Sequence, residues 1–184
     1  MHRTAALTAL LTLSALLLPS AISSPARSAT SGDGRIALLD RPAVPSDSVP
    51  PAVAAVIDAK EVDLSSSRLA DERGGRQYFV ARGARGLCLI RVDAVAGYAA
   101  SCASTLIAGG VYLASLDRQK GTMEVADVVP DDVTHASVAG SPTAAANNLV
   151  VVEDIPIGTA VDVEGPNGAV RVPIAARTPV PPRG

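Results

Sequence analysis

The chain's only two cysteines, Cys88 and Cys102, lie in one stretch, GLCLIRVDAVAGYAASCAS over residues 86–104, and they constrain the fold more than any other feature. Folded into a hairpin centred on Val95, the stretch pairs positions whose numbers sum to 190. Cys88 then faces Cys102, Ile90 faces Ala100 and Val92 faces Tyr98. Directly opposed residues of an antiparallel pair have Cα atoms about 4.5–5.5 Å apart, within the range a disulfide accepts. Such a bond closes a loop of about 15 residues, for which loop entropy gives roughly 3 kcal/mol. The rival chemistries fit less well. A catalytic dithiol is usually C-x-x-C, whereas thirteen residues intervene here. Zinc needs two more ligands, and beyond the N-terminal segment the chain offers one histidine, His135, and no further cysteine. A structural staple is the reading, with free thiols as the alternative, and a staple calls for an oxidising compartment.

The N-terminus reads as an export signal. His2 and Arg3 make a weakly basic start, Ala5 to Leu18 is uncharged and largely apolar, and Pro19 breaks the run before an A-x-A-like site at Ala21-Ile22-Ser23. The run is short for a bilayer span, which needs about 20 residues. No cysteine follows it to carry a lipid, and no arginine pair marks the twin-arginine route. Residues 1–23 are therefore expected to be a signal peptide, with an uncleaved N-terminal anchor as the alternative. No second membrane segment is evident, so the mature protein is expected to be secreted or extracytoplasmic.

Residues 24–45, rich in Ser, Ala, Pro and Gly, read as a flexible leader. Residues 46–60 then predict a short helix. Asp47 or Ser48 is placed to cap it, Pro50 and Pro51 suit only a first turn, and Val53, Val56 and Ile57 share a face. DLSSSRLADERGG, at 63–75, reads as one further helical turn and a glycine break. After Gly75 the pattern changes to short runs rich in Val, Leu, Ile, Tyr and Ala, punctuated by Gly, Pro, Asn or Asp. They predict strands at 77–82, 87–92, 98–103, 111–116, 123–129, 134–138, 148–153, 160–164 and 169–173. The Asn-Gly pair in GPNGA, at 165–169, signals a tight hairpin turn. Residues 175–184 form a loose Pro-rich tail. One mainly-β domain over 46–174 results, a small β-sandwich or barrel with one short N-terminal helix and a stapled hairpin. Its core must rest on small and β-branched side chains, since the chain has one Phe, three Tyr and no Trp.

SSSRLA, GLCLIRV…SCAS, VADVVPDDVTHASV and NNLVVVE together resemble a family of uncharacterised exported proteins of high-GC Gram-positive bacteria. In that pattern a Ser-Arg element precedes a paired-cysteine hairpin, followed by a Val-Pro-Asp-Gly-Val turn and an Asn that opens a strand. Val129, Pro130, Asp131, Val133 and Asn148 match, while Asp132 stands where glycine is expected. The resemblance spans about residues 46–164. It implies a small extracytoplasmic β-domain and carries no activity. Asp at 132 argues against a positive-φ turn there.

The sharpest cluster of reactive side chains is PDDVTHAS, with Asp131, Asp132, His135 and Ser137. Serine, histidine and carboxylate are the components of a hydrolytic triad, and Ser101 or Ser104 is available as a remote nucleophile. No G-x-S-x-G elbow is present. The competing reading is a polar turn at Asp131-Asp132, capping backbone N–H groups, and a solvated strand face at His135 and Ser137. Glu153, Asp154, Asp162 and Glu164 lack the close loop of a calcium site, and read as a solvated acidic edge. Arg73, Arg76, Arg82, Arg85 and Arg91 make 73–91 locally basic, which could serve an anionic polymer or simply occupy exposed strand and turn positions. Arg68 is a candidate for an internal pair with a carboxylate. A net charge of −2 gives no reason to expect a nucleic-acid partner. Tyr78, Phe79, Tyr98 and Tyr112 are too few aromatics for a carbohydrate platform.

The sequence thus predicts a non-catalytic binding or structural module whose partner is a protein or an envelope component, with no cofactor and no metal. The alternatives are a small secreted hydrolase using His135 with Asp131 or Asp132 and a nearby serine, and the ectodomain of an N-terminally anchored protein.

Overall fold

The computed structural model describes residues 34–95, 97–104, 111–138, 140–165 and 168–172. Eleven antiparallel strands form three sheets. Sheet I contains β1 (Val62–Arg73), β2 (Arg76–Gly83), β3 (Gly86–Asp93) and β4 (Gly97–Ala103) in sequence order. Sheet II runs β5 (Tyr112–Asp117), β6 (Thr122–Val128), β9 (Leu149–Pro156), and sheet III runs β11 (Gly168–Val172), β10 (Val161–Gly165), β7 (His135–Val138), β8 (Ser141–Ala144). Among the described residues the single α-helix is one turn, α1 (Pro51–Ala54).

Alternation along the central strands explains how the sheets stack. In β2, Tyr78 and Val80 point one way and Phe79 and Ala81 the other, and all four are fully buried. Tyr78, Val80 and Leu89 pack with Ala126, Val128, Leu149 and Val151 of sheet II. Phe79, Ala81 and Ile90 pack instead with Val49 and Ile57 of the segment around α1. The opposite face of sheet II, with Met123, Val125 and Val150, meets Ala136 and Val161 of sheet III. Sheet II therefore lies between two apolar layers, and sheet I between one of these and the α1 segment. This is a β-sandwich extended by a third sheet, built mostly from Val, Leu, Ile and Ala.

The hairpin of β3 and β4 has the predicted register, with Cys88 opposite Cys102, Ile90 opposite Ala100 and Val92 opposite Tyr98. The cysteines are bonded, at a Cα–Cα distance of 4.1 Å. Gly83 makes room for them: a Cβ there would lie 2.5 Å from the Cys88 Sγ and 2.7 Å from the Glu61 carbonyl oxygen. All nine predicted strands are present. At the C-terminal hairpin Gly165 opposes Gly168, and residues 173–184, like the signal segment, lie outside the described residues.

Four departures have local causes. DLSSSRLADER is strand β1 and not a helical turn, because its serines form a bulge. Between Asp63 opposite Arg82 and Arg68 opposite Val80, β1 carries extra residues that have no cross-strand partner. Their polar groups are satisfied locally. Asp63 Oδ1 accepts from the Ser65 amide and hydroxyl, Ser66 donates to the Asp63 carbonyl, and the Ser66 Oγ accepts from the Arg82 amide. Strand β8 was not predicted, since SPTA has neither alternation nor β-branched density beyond Thr143. The helix is limited to Pro51–Ala54, with Pro51 in its first position as expected. Asp47 does not cap it and belongs to a preceding 3₁₀ turn, Pro45–Asp47. Finally, the stretch read as leader joins the core at Ile36. Ile36, Leu38 and Leu39 are buried in the layer between sheets I and II.

Candidate functional site

Two side chains hold the Ile36–Leu39 strap in place, and both were singled out in the sequence, Asp131 in a turn and Asn148 as the opening of a strand. Asp131 Oδ1 accepts the Ala37 amide at 2.8 Å and the Asn148 Nδ2 at 2.7 Å. Asn148 Oδ1 accepts the Leu38 amide at 3.0 Å, and its Nδ2 also donates to the Val129 carbonyl. The Pro130 carbonyl closes the first turn by accepting the Val133 amide. Asp132 has no positive φ, in keeping with the Asp-for-Gly departure, whereas Asn147 and Asn148 both do, at 49° and 59°. These two asparagines form the tight turn between Ala146 and Leu149, a position where Asn is tolerated. Asn148 therefore precedes strand β9 rather than opening it.

The strap and these turns border a groove of about 550 Å³, lined by Leu38, Arg41, Pro130, Asp131, Val133 and Asn147 among others. Its polar wall is internally engaged. Arg41 forms a fork with Asp47, NH1 to Oδ2 at 2.7 Å and NH2 to Oδ1 at 2.6 Å. The buried Asp47 carboxylate also accepts the Val44 and Leu69 amides, each at 2.8 Å. Burial pushes its pKa up, but the Arg41 bond and then the two amides outweigh it and hold the carboxyl at about 2. Asn147 donates to the Ala70 carbonyl. Among the described residues Arg68 meets no carboxylate, and its guanidinium donates to the Arg41 and Ser67 carbonyls. The groove thus offers shape and a mixed apolar and polar wall.

Within PDDVTHAS, Asp131 lies in the turn and His135 and Ser137 lie on strand β7. Asp131 is bound to the strap, with the Arg35 guanidinium 3.8 Å from its other oxygen. His135 and Ser137 share one face of β7, opposite Glu164 and Asp162 of β10 respectively. His135 Nδ1 lies 2.9 Å from the Thr134 hydroxyl. Ser137 is buried rather than solvated. Of the four acidic residues, Glu153 meets Arg76 at 3.2 Å and Asp154 lies 3.7 Å from Lys120. Among the described residues, no group of three His, Cys, Asp or Glu side chains could hold a metal ion.

The basic run of 73–91 is matched by carboxylates. Arg73 meets Asp71, Arg82 meets Asp40, and Arg85 meets Glu61. Arg76 and Arg91 turn inward to Glu124 of β6, a residue the sequence did not single out. Glu124 Oε1 accepts the Tyr78 hydroxyl at 2.6 Å, and Arg91 also donates to the Ser115 hydroxyl. Burial first, then the bond to Glu124, raises the Tyr78 pKa far above its usual value. Glu124 thus ties sheet II to sheet I with three donors. Its sequence signal is a charge set among the apolar residues Met123, Val125, Ala126 and Val128 of β6.

Among the described residues no helix is long and apolar enough to cross a membrane. No protein-family model, curated protein or solved structure matches the chain.

Proposed function

We propose that the protein is an exported, non-catalytic binding or structural module of the cell envelope or its surroundings, in line with the family resemblance read from its turn motifs. The observation that carries this reading is the engagement of Asp131. A triad carboxylate must orient the histidine, yet the Asp131 oxygen Oδ1 holds the Ala37 amide and the Asn148 side chain. The motif with the best claim to chemistry thereby fastens the N-terminal strap. The Cys88–Cys102 bond fits an oxidising compartment, and the apolar N-terminal run supplies the route.

The test combines an activity-based serine probe with a mass measurement. Incubation with a fluorophosphonate should leave Ser137, Ser101 and Ser104 unlabelled, and the His135→Ala variant should behave identically. Labelling of one serine that disappears in His135→Ala would establish the hydrolase instead. Intact mass from the natural host, with thiols alkylated before and after reduction, should begin near Ser24 and gain alkyl groups only after reduction. A full-length mass in the membrane fraction would select the anchored ectodomain.

A further inference from the structure

The edges of the three sheets are protected unequally. β1 carries Asp63, Arg68, Asp71, Glu72 and Arg73 and two register shifts. β9 is interrupted by an irregularity at Asp154, whose φ is 54°, and ends in Pro156. β8 is four residues long and contains Pro142, while β11 includes Arg171. β5 is tied against sheet I through Ser115 and Arg91. Charge, proline, bulges and shortness are the features that keep a strand edge from pairing with another chain. β4, GYAASCA, has none of them. It is seven residues long, uncharged, free of proline and in unbroken register with β3. Among the described residues, no strand pairs with its outer side.

The disulfide identifies which backbone groups face outward. Opposed residues in an antiparallel pair lie about 5.5 Å apart when they exchange hydrogen bonds and about 4.5 Å apart when they do not. Cys88 and Cys102, at 4.1 Å, are a pair of the second kind. The N–H and C=O of Cys102 therefore point away from β3, as do those of Ala100 and Tyr98 at the same alternation. Beside this edge, two of the few exposed large apolar side chains among the described residues adjoin. Tyr98 is 43 % exposed and Val56 60 %, with the Tyr98 hydroxyl 3.5 Å from the Val56 carbonyl oxygen. Val95, 97 % exposed, sits at the hairpin tip three residues before Tyr98.

We propose that β4 is an assembly edge that pairs antiparallel with β4 of a second copy, across a two-fold axis at Ala100, to give one continuous eight-stranded sheet. This goes beyond the proposed module by naming one partner of its surface. The occupant follows from self-complementarity. A two-fold contact sets each residue of the strand against a residue of the same strand. Any charge on β4 would therefore oppose a like charge or a small neutral residue, and β4 has no charge. Centring on Ala100 is the register that uses all three outward residues, with Ala100 opposite itself and Tyr98 opposite Cys102 of the second copy. The three pairs exchange two hydrogen bonds each. Tyr98 then lies beside the partner copy's disulfide, and its exposed ring is covered. The contact is smaller than a standard interface, so the dimer is weak and concentration-dependent.

Sedimentation velocity of the disulfide-intact protein from about 1 µM to 1 mM tests this. A monomer–dimer equilibrium is expected. Ala100→Lys, which sets two lysines directly opposite each other at the axis, should weaken the dimer at least about tenfold. Hydrogen exchange on the unaltered protein provides a readout independent of any variant. The amides of Tyr98, Ala100 and Cys102 should exchange more slowly as concentration rises, while those of β1 should not change. A monomer at every concentration overturns the proposal. So does a dimer whose protected amides lie on another strand, or one that a folded Ala100→Lys leaves intact.

Discussion

The two faces of β6 carry one buried acid each, three residues apart, and treat it in opposite ways. Glu124 and Asp127 are almost equally hidden, at 7 % and 6 % exposure. Glu124 faces sheet I, where Arg76, Arg91 and Tyr78 reach it. Asp127 faces the layer against sheet III, between Val125 and Val129 along the strand and beside Tyr112 and Val150 across it. Burial there outweighs the one opposing contribution, the Val128 amide, and raises its pKa to about 7. The difference teaches that depth alone does not decide how a buried acid is compensated. Sheet I brings three side-chain donors to Glu124, whereas the opposing contribution at Asp127 comes from the Val128 amide of its own strand.

Glu124→Leu breaks the favourable side of this contrast and should have the largest effect. Removing one member of a buried charged cluster leaves the others uncompensated, at a cost of about 3–5 kcal/mol. Urea unfolding at pH 7 measures it. A cost under about 1 kcal/mol would mean that Asp93 and Glu153, which also contact Arg76, take over the role.

The other side is reached by pH. Folding raises the Asp127 pKa from 3.8 to about 7, so between those values the native state keeps a proton that the unfolded state has released. Stability from this group is fully present below about pH 4 and falls as pH rises to about 7, by roughly 3–4 kcal/mol. Asp127→Asn should abolish that slope, making the variant gain on the parent by about this amount between pH 4 and pH 8. Parallel stability–pH profiles would refute the assignment.

Asp47 is a third buried acid and titrates with the opposite sign. Its native pKa of about 2 lies below the ordinary 3.8, so its contribution is present above about pH 4 and is lost as pH falls towards 2. Asp47→Asn should cost about 2 kcal/mol at neutral pH and flatten the acid limb of the unfolding profile. The smallest effect concerns the strap. Asn148→Gly keeps the positive-φ turn and removes only the side chain, for about 1 kcal/mol. Trypsin should then cut after Arg35 faster than in the parent, with mass spectrometry identifying the cleaved bond.

Much of the fold is legible because its signals are local. Short runs rich in Val, Leu, Ile, Tyr and Ala mark β2 to β6, and the cysteine spacing sets the β3–β4 register. β1 was not legible, since its serine-rich stretch reads as a helical turn until the hydroxyls are seen satisfying a bulge. At the candidate site, Asp131 was recognised as a turn residue and Asn148 as the opening of a strand, but what they hold was not. The strap lies 94 residues from Asp131 and 110 from Asn148 along the chain. The roles of Asp47 and Glu124 were not legible either, because Asp47 also holds the Leu69 amide of β1 and Glu124 is reached by Arg76, Tyr78 and Arg91 of sheet I.

By itself, the sequence determined the β-rich class, the stapled hairpin and most strand positions, since strand period, turn chemistry and cysteine spacing act between residues near in the chain. Only the tertiary structure decided which charges are buried and paired, that the stretch read as leader contributes three core residues, and which strands form the sheet edges among the described residues. Those outcomes depend on which faces meet, and contacts between distant segments leave no periodic trace in the residues that make them.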